Sequence, residues 1–139
     1  MPRHKIRVVI DTNIWLSMAI GSRVVSEQMS VIIEREDIEV FSSVELFDEL
    51  TEILAKPKLK NYLTQERTQQ LFDLIWLKTV LIKVQSNLQL CRDSKDDFII
   101  NLAFDSNSHY VITGDKDLLI LNPINTLQIL TLSNFLQKI

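Results

Sequence analysis

Val8-Val9-Ile10-Asp11-Thr12-Asn13 is the stretch on which the fold turns. The apolar run Ile6-Arg7-Val8-Val9-Ile10 reads as a strand, closes on Asp11, and passes at once into Thr12-Asn13. His109-Tyr110-Val111-Ile112-Thr113-Gly114 closes on Asp115 in the same way. In open parallel sheets, functional groups collect just beyond the carboxyl ends of strands. A carboxylate in that position is costly unless a cation or hydrogen bonds compensate it.

Working outward, the chain alternates strands and helices. Residues 13–19 and 22–35 read as helices, the second with Val24, Val25, Met29, Ile32 and Ile33 at helical spacing. A strand over 38–41 follows. Ser42 or Ser43 caps the next helix, with Glu45 in capping-box position to Ser42 and an apolar stripe of Leu46, Leu50, Ile53 and Leu54 that ends before Pro57. Thr64 caps a helix to about residue 76, and 80–84 is the third strand. Ser94 opens a further helix with Asp97 as its capping acid. Strands over 110–113 and 127–130, a short helix over 116–121 and a terminal helix from 133 complete the pattern. Such alternation predicts the α/β class: a three-layer α/β/α architecture with a central parallel five-stranded sheet and right-handed crossovers.

Composition narrows the function classes. At 139 residues and 46% hydrophobic, residues 1–139 suit one domain with its own core. No run reaches the roughly 18–20 apolar residues of a membrane span, and Met1-Pro2-Arg3-His4-Lys5 leads straight into a strand, so a cytoplasmic protein with no membrane partner is expected. Cys91 is the single cysteine, which rules out an internal disulfide, a cysteine-based zinc site and a redox pair, and leaves a Cys-His nucleophile without support. The net charge of −3 argues against holding nucleic acid by bulk electrostatics, although a metal nuclease with carboxylates at its centre is itself acidic.

Four acids stand out, each beside a structural alternative. Asp11 either caps the following helix or projects as an oxygen ligand, with Asn13 turning back to the loop or the site. Glu45, Glu49 and Glu52 fall at i, i+4 and i+7, as on a solvated face; with Glu45 engaged by Ser42, Glu49 is the one left to reach over the sheet edge. In Asp93-Ser94-Lys95-Asp96-Asp97, Asp97 serves the cap and Asp96 is free to face the strand ends. One of Asp115 and Asp117 caps the short helix, leaving the other free. The conjunction of Asp11, Glu49, Asp96 and Asp115 on one side of a parallel sheet favours a site for Mg²⁺ or Mn²⁺, which take oxygen ligands. Two such ions about 3.5–4 Å apart clamp the attacking and leaving oxygens of a phosphodiester. Lys56 and Lys58 beside Pro57, and Arg92 and Lys95 beside Asp93, are candidate phosphate contacts; Lys60 reads as ordinary surface. His4 and His109 lie outside every acidic motif, His109 as a strand-opening residue, and Trp15 and Trp76 are assigned to the core.

The chain resembles the PIN domain nucleases along essentially its whole length. The resemblance rests on Val8-Val9-Ile10-Asp11-Thr12-Asn13, Glu49-Leu50-Thr51-Glu52-Ile53-Leu54-Ala55-Lys56-Pro57-Lys58, Cys91-Arg92-Asp93-Ser94-Lys95-Asp96-Asp97 and Thr113-Gly114-Asp115-Lys116-Asp117-Leu118-Leu119, in that order. It is strongest to the bacterial branch described as toxin components of toxin–antitoxin systems. It implies a PIN-like fold and a Mg²⁺- or Mn²⁺-dependent endoribonuclease acting on RNA, with the metal-holding quartet Asp11, Glu49, Asp96 and Asp115. Asn13, Asp93, Thr113 and Asp117 would support that site. It also implies an antitoxin protein as partner and a homodimer, for which the apolar segments 71–77 and Val24-Val25 offer surface. One departure is visible: Phe98 stands where close relatives of that branch often carry a charged residue, which leaves the acids in place and changes the wall of the groove.

Two other classes compete. A receiver-like signalling domain would need an acceptor Asp at the end of the third strand, where Val84-Gln85-Ser86 offers none. A catalytically silent PIN-like scaffold would be missing an acid of the quartet, and all four are present.

Overall fold

In the computed structural model, which describes residues 4–139, five strands form one all-parallel sheet. They are β1 (Ile6–Ile10), β2 (Ile38–Ser42), β3 (Thr79–Leu81), β4 (Tyr110–Ile112) and β5 (Gln128–Leu130), arranged β3-β2-β1-β4-β5. The helices are α1 (Thr12–Ile20), α2 (Arg23–Glu34), α3 (Val44–Leu54), α4 (Pro57–Lys60), α5 (Gln65–Lys78), α6 (Asp97–Asp105), α7 (Lys116–Leu119) and α8 (Leu132–Lys138). They complete the expected three-layer α/β/α arrangement. β1 lies at the centre, and Val8, Val9 and Ile10 are wholly buried, as a strand covered on both faces requires.

The strand order positions the site. Chain direction across the sheet reverses between β1 and β4, because β2 and β3 lie on one side of β1 and β4 and β5 on the other. A crevice forms beyond the carboxyl ends of two strands at such a switch point. Ile10 pairs with Ile112, and the Asp11 amide donates to the Ile112 carbonyl at 2.9 Å, so the residues that follow β1 and β4 emerge side by side.

Several local expectations need correction. Ser43 caps α3 through the Leu46 amide, whereas Ser42 ends β2 and its hydroxyl lies 2.6 Å from Thr79 Oγ1. The capping box between Ser42 and Glu45 therefore does not form, and Glu45 Oε2 is a buried oxygen with no hydrogen-bond partner. The segment after Pro57 closes a short helix, α4, with proline at its first position where a missing N–H is harmless. Asp93, not Ser94, caps a 3-10 turn over Ser94–Asp96 that leads into α6. Trp15 is buried as expected, but Trp76 is 65% exposed.

β3 is also shorter than the expected 80–84, because its backbone finds other partners. From Gln85 to Cys91 the chain runs extended along α6, whose Asp97, Asn101 and Asp105 stand four residues apart on one face. Asp105 accepts from the Gln85 and Ser86 amides and from the Ser86 hydroxyl. Asn101 bonds both the N–H and the C=O of Leu88, and Asp97 Oδ1 accepts from the amides of Leu90 and Cys91. Side chains of α6 thus take backbone groups of the strap that a strand partner would otherwise bond, and Asp97 serves the strap rather than a helix cap.

Candidate active site at the carboxyl edge of the sheet

Asp11 occupies the N-cap position of α1 yet makes no side-chain cap bond. Its Oδ2 instead accepts the Thr113 hydroxyl at 2.7 Å, across 102 residues of sequence, inside the protein. Thr113 Oγ1 in turn accepts the Asp115 amide at 3.0 Å. One threonine thereby ties the end of β1 to the end of β4 and fixes both acids. Burial pushes the Asp11 carboxyl above the usual carboxylate range, the Thr113 hydroxyl and the Thr12 amide oppose that shift, and the Asp115 charge adds to it.

Asp115 caps α7, its Oδ1 accepting the Asp117 amide at 2.9 Å. Asp117 therefore contributes its backbone. Asp96 ends the 3-10 turn half-buried, and its carboxyl is pushed up to about 7. The causes are burial, then the charges of Asp115, Asp11 and Asp93, and a hydrogen bond shared with Asp115. Asp93 is exposed and holds the Lys95 amide at 3.0 Å.

Glu49 points toward this group from α3. Its Oε2 accepts the Thr12 hydroxyl at 2.9 Å; burial raises its pKa first, Thr12 counteracts, and the charges of Asp11, Glu52 and Asp93 raise it further. The hydroxyl that positions an acid here is Thr12, which directly follows the strand-closing Asp11. Asn13 is exposed, and its side chain makes no hydrogen bond among the described residues. The signal in the sequence was a threonine between Asp11 and Asn13, overshadowed by its polar neighbours.

Three acids thus sense one another directly, and Glu49 joins them through Asp11. None of the four takes part in an ion pair with Lys or Arg among the described residues. Nor, among those residues, are any three His, Cys, Asp or Glu side chains close enough together to enclose a metal ion. The donor set nonetheless suits a hard divalent cation, being made of carboxylate oxygens whose proton affinity is raised first by burial and then by their neighbours' charges.

The remaining candidates fall around this edge unevenly. Lys56 and Lys95 line a cavity of about 410 Å³ together with Glu49, and Arg92 lines an adjoining cavity of about 660 Å³. Lys58 is exposed on α4. His109 sits at the opposite, amino edge of the sheet, where its Nδ1 accepts the Arg7 amide at 3.0 Å. The Cys91 thiol is pushed up to about 12 by burial and by Asp97, so it carries no thiolate for nucleophilic work at neutral pH.

A family profile described as PIN domain matches residues 7–117. An uncharacterized protein of Methanocaldococcus jannaschii is 34% identical over 126 residues, covering 90% of this chain and 81% of the relative. Among solved structures, VapBC2 from Rickettsia felis, crystallised bound to a DNA fragment from their promoter, superposes with a TM-score of 0.61 at 15% identity. That match covers 89% of this chain and 97% of the other.

Proposed function

The chain belongs to the PIN domain family, and from that premise we propose that it is a single-domain, divalent-metal-dependent endoribonuclease and the toxin of a toxin–antitoxin pair. The observation that carries the reading is the set of carboxylates at the switch point, with Asp96 pushed up to about 7 by burial and by its acidic neighbours and no basic side chain paired to any of them among the described residues. When bound, Mg²⁺ or Mn²⁺ supplies a water of lowered pKa and neutralises charge on the scissile phosphate. Asp11, Glu49, Asp96 and Asp115 are the residues that would hold it.

The roles of the protein groups follow from their bonds. Thr113 locks Asp11 in one orientation and Thr12 does the same for Glu49, so neither acid must be ordered when RNA arrives. Asp115 has one oxygen committed to the Asp117 amide and shares a hydrogen bond with Asp96 across the site. Lys56 and Lys95, on the cavity that Glu49 lines, and Arg92 beside it would contact backbone phosphates, with Lys58 further out. β3 closes on Leu81 and Ile82 without an acid, so an aspartyl acceptor of the receiver kind has no counterpart there.

An antitoxin partner is inferred from the likeness to VapBC2; a small open reading frame just upstream of the gene supports it, and a solitary gene counts against it. No helix among the described residues is long and apolar enough to cross a membrane, which suits action on RNA in the cytoplasm. A homodimer is proposed from the exposed Trp76 and Leu77 of α5, with Val24 of α2 a second exposed apolar position.

The test is cleavage by the purified chain of structured and single-stranded RNA with Mg²⁺, with Mn²⁺ and with chelator. Cleavage should require a metal and be abolished in Asp11→Asn and Asp96→Asn. Cleavage that survives chelation, or that persists equally in both variants, overturns the reading.

A further inference from the structure

Phe98 and Glu45 lie between two cavities and have no place in the metal chemistry. Phe98 follows the acidic turn by two residues, is half-buried, and lines both the 410 Å³ cavity that holds Glu49, Lys56 and Lys95 and the 660 Å³ cavity under the 85–91 strap. It makes no ring contact with another aromatic among the described residues. Glu45 lines the same two cavities, one helical turn before Glu49 on α3. Its Oε2 is the one buried side-chain oxygen or nitrogen without a hydrogen-bond partner among the described residues. A buried acceptor that lacks a donor is costly, and such groups call for an explanation by a ligand or a bound species.

We propose that Phe98 and Glu45 form a pocket for one unpaired guanine of the RNA, the base stacking on the Phe98 ring and donating its edge N–H groups to the Glu45 carboxylate. The proposal rests on the ribonuclease reading and adds the base that the site selects. Single-stranded RNA is recognised by stacking bases on aromatic side chains and by hydrogen bonds to their Watson–Crick edges. An ionised carboxylate is acceptor-only and bidentate. Uracil, cytosine and adenine each place an acceptor beside any edge donor, whereas guanine presents two adjacent donors, N1–H and the exocyclic amine. A turn of the Glu45 side chain about its Cα–Cβ and Cβ–Cγ bonds carries the carboxylate out of its buried position to the cavity wall, so that both oxygens face the base, which supplies what Ser42 does not. In this pose the phosphate next to the base runs past Lys56 and Lys95, which line the same cavity as Glu49.

The experiment measures binding of four labelled five-nucleotide single strands, differing only in the central base, to the full chain by fluorescence anisotropy in chelator at low ionic strength. Repulsion from the metal-free acids weakens all four alike, so the ratio between bases remains readable. The guanine strand should bind about tenfold more tightly than the others, the discrimination expected of one bidentate contact. Glu45→Gln should bring that ratio close to one. Phe98→Leu should weaken all four strands about tenfold, the scale of one lost stacking contact, and Phe98→Tyr should restore them. Equal affinity for the four strands, no measurable binding of any strand, or a ratio unmoved by Glu45→Gln overturns the proposal. Addition of Mg²⁺ or Mn²⁺ to the same samples separates the two readings. A guanine preference without cleavage leaves the pocket standing and removes the nuclease, and cleavage without base preference does the reverse.

Discussion

Asp96 is the residue at which the chemistry of the site is most exposed to measurement. Its ordinary pKa of 3.8 rises to about 7 in the folded chain through burial and through Asp115, Asp11 and Asp93. Between those two values the folded state keeps a proton that the unfolded chain has released, so this group's stabilising contribution is complete below 3.8 and is lost as pH rises toward 7. The metal-free protein should therefore melt at progressively lower temperature from pH 4 to about 7. Asp96→Asn should flatten that slope, and Mg²⁺ or Mn²⁺ should raise the melting temperature of the wild type most above pH 7. Melting curves across pH, with and without metal, check this; a wild type whose stability rises over that window contradicts it. At this scale the sequence was partly legible. Asp11 and Asp115 announce themselves by closing apolar runs, whereas Thr12 and Thr113 acquire their roles from partners 37 and 102 residues away. Thr12 is marked locally only by its place between Asp11 and Asn13, and Thr113 only through the family resemblance.

Elements show a different division between what patterning reveals and what it hides. The Thr64 cap found α5, and periodicity found α2 and α3 because a stripe of large side chains every three to four residues must be buried. It could not find the strap, whose hydrogen bonds join non-repeating backbone groups to Asp97, Asn101 and Asp105 on α6. The misassigned Glu45 has a similar origin: Ser42 satisfies the capping-box spacing, but the sheet claims its hydroxyl first. Trp76 was placed in the core because an apolar stripe is the same whether the chain or a second copy covers it. On α5 the stripe overflows: Trp76 is 65% and Leu77 77% exposed, and Val80 and Leu81 of the neighbouring edge strand β3 are 42% exposed each. Exposed apolar surface beside an unpaired edge is the usual mark of an association face. Sedimentation at micromolar concentration should give a dimer for the wild type and a monomer for Leu77→Glu, with α-helical content unchanged. A wild type that sediments as a monomer contradicts a dimer built on this face.

The whole molecule is organised by its topology. Five parallel strands in the order β3-β2-β1-β4-β5 set a switch point between β1 and β4, and the acids that follow those two strands meet there. α3 and the turn before α6 then bring Glu49 and Asp96 within reach of the Asp11 charge. The class of fold was legible because alternation of strand and helix periods admits few architectures; the strand order was not, since it depends on which edge each crossover takes. We propose that this edge gathers carboxylates to hold a divalent ion. It is tested most directly by titrating Mn²⁺ into the isotopically labelled full chain and reading which backbone amides its paramagnetism broadens. The amides of Asp11, Thr12, Asp96 and Asp115 should broaden first and saturably, and Asp96→Asn should weaken the effect at all of them. Broadening spread evenly over exposed acids remote from the site, such as Glu34 and Glu66, or none at Asp11 and Asp115, would contradict the claim.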